Sequence, residues 1–159
     1  MKYIFSLMLV CSSYLSFGQM TVSEMMKVYN MDLDKFETYA ITKGYQFDEV
    51  DGDKNEAGVV ISNTFGHIYK KGKGKETKYI TLYTTFFDDG KSLQYQTSNS
   101  NEYLKIKNQL IAMRFILEST DSFNGSVRKI YNLNRWNFSI FTSKSESGNE
   151  IFEINIKQK

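Results

Sequence analysis

The side chains able to do chemistry are few. Among 159 residues there is one histidine, His67, and one cysteine, Cys11. Thiolate and multi-histidine zinc sites draw their ligands from several such residues, so both are excluded. A Ser-His-Asp arrangement could use His67, but no Gly-x-Ser-x-Gly elbow occurs. His67 also falls inside Phe65–Lys70, a stretch expected to be a strand, and reads as a sheet-surface histidine. The run Asp48–Glu56 crowds oxygen ligands, and Asp51, Asp53 and Asn55 have the odd spacing of an EF-hand start. Its sixth place holds Glu56 instead of glycine and its twelfth Ser62 instead of a bidentate glutamate. A solvated loop, with at most a weak calcium site, is the expectation. The 18 acidic residues include material for a carboxylate pair, but linear spacing selects none. No catalytic residue, metal or cofactor is assigned.

Two surfaces could bind something. Lys70, Lys71, Lys73, Lys75 and Lys78 form the densest charge run, able to meet an anionic surface such as acidic lipid. Glycines at phosphate-loop spacing are missing, so it is not a nucleotide cradle. Tyr79, Thr81 and Tyr83 share one side of an alternating stretch, and His67 and Tyr69 are placed with them as a polar-aromatic binding face. Tyrosine suits interfaces because one end is apolar and the other wet.

The elements that position these residues follow from periodicity. Thr21-Val22-Ser23-Glu24 is a capping box, Asp32 a second N-cap and Gly44 a helix stop. Thr21–Lys43 is therefore expected as two helices with a turn near Met31. Asn99 and Glu102 form a third capping pair. Tyr103, Ile106, Leu110 and Met113 then recur at helical spacing. Strands are expected at Tyr45–Glu49, Val59–Ser62, Phe65–Lys70, Lys78–Phe87, Ser92–Thr97, Phe115–Ser119, Val127–Leu133, Trp136–Ser143 and Ile151–Lys157. In Lys78–Phe87, Ile80, Leu82 and Phe86 alternate with Tyr79, Thr81, Tyr83 and Thr85. With no proline, turns fall to Gly, Asn, Asp and Ser.

The order helix, strand, hairpin, polar loop, strand occurs twice, over residues 20–98 and 99–159, as a weak internal repeat. The expected fold is α+β: an antiparallel sheet of about six to eight strands with helices packed on one face. In element order this is similar to the tandem helix-then-sheet units of beta-lactamase inhibitor protein and of small outer-membrane assembly lipoproteins. No residue motif accompanies that resemblance, so it implies a fold and no activity.

Residues 1–18 read as a signal peptide: Lys2, the apolar run Tyr3–Cys11, and Ser16-Phe17-Gly18 before a cleavage that leaves Gln19 first. The rival reading, lipidation of Cys11, has bulky Val10 against it. The apolar run is too short to cross a bilayer, so no transmembrane span is expected after signal removal, and residues 19–159 form a single domain. Net charge is +2 and falls by one when Lys2 leaves, which argues against a nucleic-acid partner. These features describe an exported bacterial protein, periplasmic or secreted. The reading is a non-enzymatic binding module using an open sheet face, with an envelope or extracellular protein or a glycan as partner. A small hydrolase with a carboxylate-based site is the alternative. An anionic-surface binder through Lys70–Lys78 is the second.

Overall fold

The computed structural model describes residues 19–52, 64–85 and 90–159. The expected targeting segment 1–18, Asp53 and Asn55 of the calcium candidate, the expected strand Val59–Ser62, and Phe86 lie outside the described residues.

Three helices begin at the expected caps. Helix α1, Val22–Tyr29, starts where Thr21 Oγ1 accepts the Glu24 N–H at 3.1 Å. Helix α2, Leu33–Thr42, starts where Asp32 Oδ1 accepts the Lys35 N–H at 2.9 Å. Helix α3, Ser100–Ala112, starts where Asn99 Oδ1 accepts the Glu102 N–H at 3.1 Å. Each side chain satisfies one of the amides that a helix start leaves without an intrahelical partner.

Among the described residues there are eight strands: β1 (Gln46–Asp51), β2 (Thr64–Lys71), β3 (Lys78–Thr85), β4 (Lys91–Thr97), β5 (Ile116–Phe123), β6 (Ser126–Leu133), β7 (Trp136–Lys144) and β8 (Glu150–Gln158). They form one antiparallel sheet in the order β1-β2-β3-β4-β8-β7-β6-β5, with the helices on one side. Period-two alternation sends Ile80, Leu82, Leu93, Tyr95, Phe138, Ile140, Ile154 and Ile156 under the helices, all essentially without exposure. Their neighbours face the other way. Strand β5 is longer than the sequence reading, because Asn124 and Gly125 take φ of 48° and 76°. That pair supplies the positive φ a tight hairpin turn demands, and β5 and β6 continue up to it.

The repeat is visible in backbone detail. After α2, Gly44 N–H bonds to Ile41 C=O and Tyr45 N–H to Ala40 C=O, each at 2.9 Å; after α3, Arg114 bonds to Ile111 and Phe115 to Leu110 at the same distances. Gly44 and Arg114 both take left-handed φ, 81° and 66°. The next strand then bulges at one position in each half, between Phe47 and Glu49 and between Leu117 and Ser119. Both bulge residues are acidic, and both bind the facing strand: Asp48 pairs with Lys70, and Glu118 accepts from Asn132. The halves join where β4 meets β8, with Leu93 opposite Ile156, Gln94 opposite Asn155 and Tyr95 opposite Ile154. Exchanging the halves maps that ladder onto itself, so a pseudo-twofold axis passes through the Gln94–Asn155 pair. Helix α1 has no counterpart in the second half and packs on β4, β8 and α3, over the seam.

At the centre lies Glu102, 1% exposed. The capping-box pattern would turn its carboxylate back to the Asn99 N–H. That amide instead donates to Thr97 Oγ1, and the carboxylate points inward. Its Oε1 accepts from Tyr95 Oη (2.8 Å) and the Met20 N–H (3.2 Å); its Oε2 accepts from Thr97 Oγ1 (3.0 Å) and pairs with Lys78 Nζ (2.7 Å). A buried carboxylate is tolerated only when paired and hydrogen-bonded in this way. Replacing Glu102 by Ala removes the acceptor shared by Lys78, Tyr95, Thr97 and the Met20 N–H and is expected to cost about 3–5 kcal/mol, read from the shift in urea midpoint at unchanged slope. Arg114→Gly removes the left-handed penalty on a side-chain-bearing residue and should raise stability by roughly 1 kcal/mol in the same assay.

Candidate functional site on the open sheet face

The face without helices carries the side chains that alternate with the core. Across the first half and the seam, one row runs Glu49, Ile68, Thr81, Gln94, Asn155. A second runs Lys70, Tyr79, Gln96, Glu153, and a third Asp51, Gly66, Tyr83, Ser92. Between them lies a concavity of 410 Å³ whose lining includes Asp48, Glu49, Ile68, Tyr79, Tyr83 and Gln96.

Leu82 is fully buried beneath the helices while Tyr79 and Tyr83 reach the open face and stay partly exposed. Thr81 shares their face but is 3% exposed and forms floor. Tyr83 Oη donates to Gln94 Oε1 at 3.0 Å. Burial, followed by the nearby charges of Asp51 and Glu153, raises the Tyr83 pKa, so the phenol stays protonated as a donor. Gly66 makes room for the ring: a Cβ there would sit 2.6 Å from Tyr83 Cε1. Tyr79 and Gln96 face each other across β3 and β4, both partly exposed.

The structure separates His67 and Tyr69 from this group and corrects their shared placement. They pair with Leu82 and Ile80, which puts them on the helix side. Tyr69 is 3% exposed, edge-on to Phe36 and Phe47 with centroids 5.5 Å away. His67 is half-buried, and burial lowers its pKa against the opposing charge of Glu37. The face of these two residues follows from the β2–β3 register, which the sequence alone did not provide.

The lysine run does not form one surface. Lys70 pairs with Asp48 at the open face. Lys71 Nζ donates to Lys43 C=O at 2.6 Å, and Lys78 runs inward to Glu102. Lys73 stays exposed in the loop, and the Lys75 side chain lies outside the described residues. Asp51 ends β1 on the open face opposite Gly66, while Asp53 and Asn55 lie outside the described residues. Among the described residues no group of three or more His, Cys, Asp or Glu side chains could hold a metal ion.

Asp48, Glu49, Ile68, Gln94 and Gln96 join the face without having been selected from sequence. The glutamines were recoverable, since they alternate with Leu93 and Tyr95. The Tyr83–Gln94 contact depends on strand register. No protein-family model matches this chain, and no curated protein or solved structure matches it either.

His67 yields a pH expectation. Its folded pKa is depressed below the ordinary 6.5, so the unfolded chain binds that proton more readily. The associated stability is fully present above the unfolded pKa and is lost as pH falls below it. His67→Gln is expected to flatten the fall in thermal midpoint between about pH 7 and pH 5, measured by circular dichroism.

Proposed function

We propose that this chain is an exported, non-enzymatic binding module whose docking surface is the open sheet face around Tyr79, Thr81 and Tyr83. The observation that carries this reading is the concavity itself. It presents two tyrosine rings and two glutamine side chains, and its acid Asp48 is already engaged by Lys70. Partly exposed tyrosines gain apolar contact and keep a hydrogen-bonding tip when a complementary surface covers them. The export reading rests on the character of residues 1–18.

Capture from envelope extracts tests it. The unsubstituted protein should retain a component that the Tyr79→Ala, Tyr83→Ala double variant loses by about tenfold or more, with the variant's far-ultraviolet spectrum unchanged. Equal capture by both would remove the open face as the docking surface.

A further inference from the structure

The open-face concavity continues beyond the first half. Tyr79 and Gln96 also line a second hollow of 330 Å³, whose walls are Thr77, Ser98, Ser145, Ser147 and Asn149. The two hollows thus adjoin at Tyr79 and Gln96, and together they make a groove-like row from the β1 bulge to the β7–β8 hairpin. Its lining is hydroxyls, carboxamides and tyrosine rings, with Ile68 and Ile151 as the aliphatic members. The hollow around Glu49, Gln94 and Gln96 is mainly polar, unlike the apolar core of a protein interface. Extended peptides dock on strand edges through backbone bonds, whereas the groove crosses the face of the sheet. Carboxamides carry donor and acceptor on one group, the complement of a sugar hydroxyl, and tyrosine rings offer flat apolar faces for the C–H side of a pyranose. The charges in the lining are Asp48, already paired with Lys70, and Glu49. An anionic ligand would meet Glu49 unfavourably.

Building on the open-face reading, we propose that the groove binds an uncharged oligosaccharide. Gln94, Gln96, Asn149 and Glu49 address its hydroxyls, and Tyr79 and Tyr83 pack against its rings.

Calorimetric titration of the signal-cleaved protein with chitohexaose, cellohexaose, xylohexaose and mannohexaose tests this, with hexagalacturonate as the anionic arm and octalysine as the peptide arm. The expected result is saturable binding of at least one neutral hexasaccharide and none of hexagalacturonate. Affinity should fall about tenfold or more in Gln96→Ala and in Tyr79→Ala and stay unchanged in Arg128→Ala. Side-chain amide resonances of Gln94 and Gln96 in the unsubstituted protein should shift with the same ligand, a readout independent of any variant. Absence of binding across the neutral panel, or binding that moves neither amide and ignores both substitutions, overturns the proposal. Binding of octalysine alone also overturns the sugar assignment. In that case tyrosine-dependent capture from extracts would still stand, whereas loss of that dependence would remove the docking face itself.

Discussion

Much of this molecule is held by one carboxylate removed from water. Glu102 sits on the first turn of α3, and its four partners come from β3, from β4 and its end, and from the residue that leads into α1. Desolvating a carboxylate costs several kcal/mol before its partners compensate. Partial assembly therefore leaves a charge buried and incompletely bonded, and this penalises alternative packings of the helix layer. Neighbouring contacts reinforce the placement: the Val22 N–H donates to Gln109 Oε1 at 2.9 Å, and Lys105 Nζ reaches Gln19 Oε1 at 2.8 Å. The start of the described chain is thus fastened to α3 at three successive helical turns.

The near-symmetry of the sheet makes its asymmetries informative. In the second half a chain of side-chain hydrogen bonds runs across the open face. Ser139 Oγ donates to Asn137 Oδ1, Asn137 Nδ2 to Asn132 Oδ1, and Asn132 Nδ2 to Glu118. Register places Tyr79 where the other half has Asn137, Thr81 where it has Ser139, and Tyr83 where it has Phe141. The same backbone positions thus carry a closed hydrogen-bond chain on one side of the axis and a tyrosine-lined hollow on the other. This contrast is the reason for centring the candidate site on the tyrosines of the first half, with only the β7–β8 hairpin of the second half adjoining it.

The fold was largely legible because its determinants are local. Three N-caps, one glycine stop and the alternation of Ile80, Leu82, Leu93, Tyr95, Ile154 and Ile156 each act within a few residues of where they are written. Three features escaped for physical reasons. Glu102 fits a capping box by spacing, but its destination is decided by Tyr95, Thr97 and Lys78 converging in space. His67 and Tyr69 could be assigned a face only through their pairing with Leu82 and Ile80, a register that no short segment encodes. The lysine run looked like one patch because sequence proximity ignores alternation: Lys70 and Lys71 necessarily point to opposite faces of β2. The groove belongs to the same class, since it joins residues from β1 to the β7–β8 hairpin.

The seam has a consequence for how the polypeptide is made. Strand β4 finds its outer neighbour only in β8, about sixty residues further along and last in the strand sequence. Whatever emerges first from a ribosome or translocon therefore presents a bare ladder of amides and carbonyls, an invitation to adhesive pairing between nascent molecules. Closure waits for β8 to arrive. Until Phe152–Ile156 are in place, the amino-terminal half keeps that edge bare, whatever the quality of its own interior.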